Sequence, residues 1–303
     1  MSASFLKMTA AGNDFLVFDD RDGSCESTGA QRWARLCRRR TGVGADGVLL
    51  IRPSDHRDAM FAMRYLNADG SAAAMCGNGA RCIAWAAAVE KGLGRELSVD
   101  TPRPRGWELP EGIGARQVWS VSFEAPDGLH RAVGWERTVM VTLGDPTPLE
   151  EVSLAGEEGG ADREGSLLAV GVPHLVLPVG DPGEVDVARE GARMRRHESL
   201  GPEGANVDFL ALEPDASGAH AIRTYERGVE GETLACGTGA ASCAVLLARK
   251  GSSSPLLFRP RSGELLRVHF DREPGEEGEP DRIRDLWLEG PVTLVFRGTL
   301  ADV

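Results

Sequence analysis

The sequence predicts an α+β fold of two similar, pseudo-symmetric domains. Each is a strand-rich unit around a central helix, with the active site in the inter-domain cleft. Three observations predict this. Met75-Cys76-Gly77-Asn78-Gly79-Ala80 and Ala235-Cys236-Gly237-Thr238-Gly239-Ala240 read almost alike and lie 160 positions apart. Each is followed by an Ala-rich apolar run that ends in Lys-Gly, at Lys91-Gly92 and Lys250-Gly251. The chain's two tyrosines, Tyr65 and Tyr225, each stand eleven residues before the cysteine. Self-similarity at a fixed offset is the mark of a duplicated structural unit.

The elements follow in order. Phe5 to Asp19 reads as a strand, a tight turn at Gly12 and a second strand Phe15-Leu16-Val17-Phe18. Gln31 to Arg40 has helical character, and the glycine-rich Thr41 to Gly47 leads into a buried strand Val48-Leu49-Leu50-Ile51. Phe61 to Leu66 is a strand closed by the turn Asn67-Ala68-Asp69-Gly70, and the first cysteine helix then runs to about Val89. Leu97 to Val99, Val118 to Phe123 and Val139 to Leu143 are strands, Pro102 to Gly114 is an extended loop, and Gly144 to Pro148 is the linker. The second half repeats the outline. Leu167 to Val179 is strand-like, Arg189 to His197 helical, Gly204 to Leu210 a loop feeding a strand, and Ala221 to Glu226 a strand before the second cysteine helix. Strands at Leu265 to Phe270, Arg284 to Glu289 and Val292 to Arg297 finish the chain.

Composition narrows the function. The 303 residues are 42% hydrophobic and 26% charged, which is ordinary for a globular protein with real cores. No run has the eighteen or so apolar residues of a membrane span and no leader segment is evident, so the expected location is cytoplasmic. The formal charge is −12, with acid concentrated in two expected loops, Glu150 to Glu164 and Asp271 to Asp285. Such a surface repels phosphate backbones, which excludes nucleic acid as a partner. The clusters Arg38-Arg39-Arg40 and Arg193 to Arg196 read as solvated helix faces. Six cysteines without Cys-x-x-Cys spacing make neither a disulfide scaffold nor a metal site. Gly42-Val43-Gly44 precedes a strand and lacks a following Lys-Ser/Thr, so it is not a nucleotide loop.

The chemistry lies in the paired cysteines. A helix N-terminus has unpaired N–H groups and roughly half a positive charge. Glycines after the cysteine let a ligand carboxylate reach that backbone. The same field is expected to lower a thiol from ~8.5 into a range of about 3.5–7.5. Two such thiols suit a reaction in which one sulfur takes the α-proton next to a carboxylate and the other returns one on the opposite face. That inverts a stereocentre without a cofactor, the carbanion charge being spread onto a carboxylate held by N–H groups. Cys25, Cys37, Cys82 and Cys243 lack this frame and read as structural.

These residues resemble a known family, the diaminopimelate epimerases, which are pyridoxal-independent amino-acid epimerases. The resemblance rests on Gly12-Asn13-Asp14-Phe15, Gly42 to Gly47, Asn67 to Ser71, Met75 to Cys82, Pro173-His174, Asn206 to Phe209, Tyr225 to Gly228 and Glu232 to Ala240. It implies domains at 1–143 and 144–289, with a final strand in 290–303 returning to the first. It also implies epimerisation of LL-2,6-diaminopimelate to the meso isomer, in lysine and peptidoglycan precursor biosynthesis. Cys76 and Cys236 would be the acid/base pair, and Gly77, Asn78, Gly237 and Thr238 would hold the reacting carboxylate. Asn13, Asn67, Asn206, Glu226 and Arg227 would clamp the distal amino-acid end. His174 is a further candidate for orienting substrate or a cysteine. No metal and no cofactor are expected. The partner expected is a small-molecule amino-acid substrate, with no nucleic acid and no membrane, and a homodimer is admitted. The alternative is a related racemase of proline, hydroxyproline or histidine type, which usually has His in place of Asn78. The chain departs from some family members at Gly47, where they have Gln, and at Val172, where they have Asn.

Overall fold

The computed structural model describes residues 3–155, 162–276 and 279–300. The chain divides into two compact units, Met1–Thr142 with Glu289–Val303, and Leu143–Leu288. The first contains β1 (Ser4–Ala10), β2 (Asn13–Asp19), α1 (Ala30–Cys37), β3 (Gly47–Arg52), β4 (Phe61–Asn67), α2 (Gly77–Trp85), β5 (Arg95–Glu96), β6 (Val118–Ala125), β7 (Gly128–Trp135) and β8 (Thr138–Thr142). The second contains β9 (Glu150–Leu154), β10 (Arg163–Val170), β11 (Val172–Val179), α3 (Val187–Met194), β12 (Asn206–Ala211), β13 (Ala219–Glu226), β14 (Gly231–Thr233), α4 (Gly237–Arg249), β15 (Leu256–Arg259) and β16 (Leu266–Glu273). The long β17 (Arg282–Pro291) follows, and β18 (Thr293–Thr299) returns to pair with β1.

The duplication is visible in the strand pairings. In the first unit the order β18-β1-β2-β3-β4-β6-β7 is joined antiparallel, antiparallel, parallel, antiparallel, parallel, antiparallel. In the second, β9-β10-β11-β12-β13-β15-β16 repeats that series of directions. The parallel steps are those that carry a helix crossover, as chain geometry requires. α2 packs against β1, β2, β3, β4, β7 and β8, and α4 against β10, β11, β12 and β16. Every residue of α2 is buried, and in α4 only Thr238 and Arg249 are not. A helix apolar nearly all round belongs in a core. Its alanines keep it thin enough for strands to close on it, while Val245, Leu246 and Leu247 each contribute about 1.5–3 kcal/mol by burial. α1 and α3 cover the other face of each sheet through Trp33, Leu36 and Cys37, and through Val187 and Met194.

Two expectations are corrected. Each acidic stretch, expected as a loop, begins and ends in strand: Glu150–Leu154 and from Arg163 in the first, to Glu273 and from Arg282 in the second. Glu150–Leu154 and Arg163–Val170 pair antiparallel, with Ser166 Oγ donating to Glu151 and Ser153 Oγ to Glu164, so the acid lines a sheet edge where it discourages strand addition. Glu157 and Glu158 lie outside the described residues, as does Glu277 of the second stretch. The Gly144–Pro148 segment, expected as the linker, follows directly on the boundary between Thr142 and Leu143, and Thr147 exchanges two hydrogen bonds with Ala169. The short strand expected at Leu97–Val99 falls at Arg95–Glu96, and Val99 is exposed. Among the described residues, no helix is long and apolar enough to cross a membrane.

Candidate active site

Cys76 and Cys236 are the N-caps of α2 and α4, with nearly identical extended torsions (φ −119°, ψ 121° and φ −119°, ψ 115°). Each carbonyl accepts the first helical bond, from Ala80 N–H at 2.7 Å and Ala240 N–H at 3.0 Å. The first N–H groups of an α-helix precede any i−4 carbonyl partner, and such a helix start can receive an anion. Cys76 is half-buried and Cys236 is 7% exposed.

Around α2 a chain of amides fixes Asn78. The buried Arg81 donates to Asn78 Oδ1 at 2.8 Å and to the Gly77 carbonyl at 3.3 Å. That orients Asn78 Nδ2 toward Asn13 Oδ1 at 2.5 Å, and Asn13 Nδ2 in turn reaches Asp46 at 3.4 Å. Asn13 sits where it does because Ala11 and Gly12, both at positive φ, make a two-residue turn between β1 and β2. Arg39 is exposed, as expected of the Arg38 to Arg40 cluster, and from there it donates to Asp14 and Asp46, while Lys7 also pairs with Asp14. Burial works to raise the Asp14 carboxyl, but Arg39 and Lys7 outweigh it and hold it below the usual carboxylate range. Asn67 lies apart from this chain, exposed at the end of β4, with its Nδ2 on Ser71 Oγ in the turn. Gly47 is required locally, since a Cβ there would stand 2.5 Å from the Tyr65 ring and 2.6 Å from the Leu66 carbonyl.

Around α4 the partners are different. His174, fully buried in β11, has Nδ1 2.7 Å from Asp208 Oδ2 and Nε2 2.9 Å from Thr238 Oγ1. Thr238 Oγ1 is 3.4 Å from Cys236 Sγ. Asp208 also accepts from Thr224 Oγ1 at 2.7 Å. The Asn206 amide is already engaged, its Oδ1 by Arg227 N–H and its Nδ2 by His174 Nε2. Glu226 and Arg227, expected as one clamp, part where β13 ends: Glu226 is its last residue and Arg227 opens the turn that follows. Glu226 lies against Thr233 and Cys236, whereas Arg227 reaches Glu203 at 3.7 Å. Val172, two residues before His174, is half-buried and apolar.

The electrostatics overturn one expectation. Burial, and then the Glu226 and Asp208 carboxylates, push the Cys236 thiol well above its ordinary range, outweighing Thr238 and the Gly239 N–H. Burial likewise raises the Glu226 carboxyl. The helix N-terminus alone therefore does not make Cys236 a thiolate. Cys243 is raised well above the ordinary range and Cys37 to about 11, both chiefly by burial, as suits inert core thiols. Sequence reasoning missed Arg81, Asp208 and Thr224. The signal was present for two of them: Arg81 is a lone charge in an apolar helix, and Asp208 a lone charge in the buried run Val207 to Ala211.

Comparison with known proteins gives the family and the fold. The sequence profile of diaminopimelate epimerase matches residues 5–105 and 166–276. The diaminopimelate epimerase of Aquifex aeolicus is 37% identical over 309 residues, covering 98% of each chain. That of Gemmatimonas aurantiaca is 35% identical, covering 99% of this chain and 100% of its own. Among solved structures, a hydroxyproline epimerase from Agrobacterium vitis superimposes with a TM-score of 0.66 at 20% identity, covering 99% of this chain and 91% of that one. A phenazine biosynthesis protein of the PhzF family from Bacillus anthracis gives 0.69 at 15%, covering all of both. These two likenesses establish the fold. From the profile and the full-length relatives, the chain belongs to the diaminopimelate epimerase family, isomerases of the amino-acid racemase and epimerase type.

Proposed function

We propose that the protein converts LL-2,6-diaminopimelate to the meso isomer without a cofactor, by proton transfer at one α-carbon between two cysteines. The observation that carries this is the matched pair of cysteine N-caps, with the same backbone torsions and the same following glycines, in a chain of this family. One sulfur, as thiolate, removes the α-proton, and the other, as thiol, delivers a proton to the opposite face. The roles exchange for the reverse direction. Backbone N–H groups at the starts of α2 and α4, at Gly77 and Asn78 and at Gly237 and Thr238, hold the carboxylate onto which the carbanion charge spreads. Asn13 is fixed for substrate by its amide chain. Asn67 and Arg227 remain accessible for the distal amino-acid end, where a guanidinium can fork onto a carboxylate. Asn206 and Glu226 act nearer Cys236, the first through His174. The product would serve lysine and peptidoglycan precursor synthesis.

The test is incubation of the reduced enzyme with LL-diaminopimelate in D2O, followed by NMR or mass spectrometry. Meso product with solvent deuterium at the inverted centre is expected. Absence of α-exchange, with exchange into proline or histidine run alongside, would keep the chemistry and reject the substrate. Silence with all three would reject both.

A further inference from the structure

Asp208 is fully buried in β12, and the two groups it holds, Thr224 Oγ1 and His174 Nδ1, each lie 2.7 Å from one of its oxygens. A carboxylate has only acceptors, so His174 Nδ1 carries a hydrogen, and in the neutral ring Nε2 keeps its lone pair. A second contact requires the same tautomer. Arg227 N–H donates to Asn206 Oδ1 at 2.7 Å, which turns the Asn206 amide NH2 toward His174 Nε2 at 3.3 Å. An NH2 group can only donate, so Nε2 accepts again. Thr238 Oγ1 therefore stands between an acceptor that already has one donor, 2.9 Å away, and a sulfur 3.4 Å away. Glu226 and Cys243 are further titratable groups ranged about that sulfur.

We propose that Asp208 and Asn206 are positioning residues that lock His174 as the Nδ1–H tautomer, leaving the Thr238 hydroxyl as a rotor that follows the state of Cys236. When Cys236 is a thiol, its S–H donates to Thr238 Oγ1 and the hydroxyl donates to His174 Nε2. When Cys236 is a thiolate, the hydroxyl turns and donates to the sulfur, while Asn206 keeps Nε2 satisfied. The hydrogen-bond chain thus serves both protonation states without moving a heavy atom. Its consequence for turnover rests on the two-thiol reading above, but its geometry does not.

The experiment has two parts. Long-range ¹H–¹⁵N NMR of the imidazoles in the full-length wild-type protein, with His174 assigned from His174→Gln, is expected to show the hydrogen on Nδ1. A hydrogen on Nε2 overturns the proposal, and no variant need fold for that result beyond the one used for assignment. In Asp208→Asn the amide NH2 faces Nδ1 and drives the hydrogen to Nε2, as happens when the aspartate behind a catalytic histidine is replaced by asparagine. Nε2–H then occupies Thr238 Oγ1. A fall in kcat of about 10–100-fold with KM within about twofold is expected. Thr238→Val should lose a similar factor, and the double variant no more than either single one. Retention of Nδ1–H in Asp208→Asn, or additive losses, overturns the proposal. If wild type exchanges no α-proton of diaminopimelate, the proposed reaction fails while the NMR still decides the relay.

Discussion

The two units put opposite surroundings beneath the same helix start. Registers make the match direct: in the parallel pairs Phe15 lies opposite Gly47 and His174 opposite Asn206, and in the antiparallel pairs Leu49 lies opposite Tyr65 and Asp208 opposite Thr224. The third helical residue confirms it, since a Cβ on Gly79 would meet Leu49 and Phe15, and one on Gly239 would meet Asp208. So α2 rests on Phe15, Leu49 and Tyr65, and α4 on His174, Asp208 and Thr224. In the first unit the polar device comes from the helix itself, as Arg81 aiming Asn78. In the second it comes from the sheet. Duplicated backbone provides two thiols, and the side chains beneath make them chemically unequal.

The largest effect tests whether both halves are needed at all. Cys76→Ala and Cys236→Ala should each lower epimerisation by about 10³-fold or more, roughly 4 kcal/mol or above, because each deletes one proton-transfer group. Product formation followed by NMR or polarimetry checks it. Near-normal turnover in either variant would leave one thiol as scaffold and remove the comparison's functional meaning.

Exchanging the two beds comes next. Leu49→Asp places an unpartnered carboxylate under α2 and should destabilise the protein by about 4 kcal/mol. Asp208→Leu strands the His174 Nδ1–H and the Thr224 hydroxyl, at about 1–3 kcal/mol for each buried group. Urea denaturation measures both. If either substitution costs less than about 1 kcal/mol, the beds are interchangeable packing and the asymmetry is incidental.

That asymmetry explains what could be read in advance. The cysteine helix starts and the duplicated outline were legible because glycine placement and apolar periodicity are local, whereas the return of the last strand came only with the family resemblance. The matching of Tyr65 with Tyr225 was misleading. Tyr65 lies by Phe15 on the α2 side, whereas Tyr225 packs on Gly191 on the α3 side. The β4 partner of Gly47 is nine residues before Cys76, and the β13 partner of Asn206 ten before Cys236, so equal counting lands on opposite faces. The raised Cys236 thiol was hidden for another reason. The helix start is written in its own segment, while the burial that raises the thiol, and the carboxylates of Glu226 and Asp208 that add to it, depend on other strands.

A smaller effect separates the two glycines. Gly79→Ala adds a methyl 3.2 Å from Leu49 Cδ2, a flexible apolar end, and gains helix propensity of roughly 0.5–1 kcal/mol. It should be near neutral in thermal stability. Gly239→Ala sets the methyl 2.3 Å from Asp208 Oδ1, which cannot retreat without releasing Thr224 or His174. It should destabilise by about 2 kcal/mol and lower turnover. Equal melting temperatures for the two variants would mean that the Asp208 bed yields as easily as the apolar one.

The smallest effect is a slope with pH. Cys236 is raised in the folded state, so the fold keeps a proton that the unfolded chain begins to release near the ordinary ~8.5. The folded form binds more protons there, and stability must fall as pH climbs from about 8.5, by at most about 1.4 kcal/mol per pH unit for one such group. Below that pH the contribution is fully present. Cys236→Ala removes the group, so its stability, followed by urea denaturation between pH 8 and 10, should decline less steeply than wild type. Cys243, raised in the same way, remains in both proteins and cancels from the difference. Identical slopes would mean that neither burial nor the carboxylates beneath α4 hold the Cys236 proton in the folded chain.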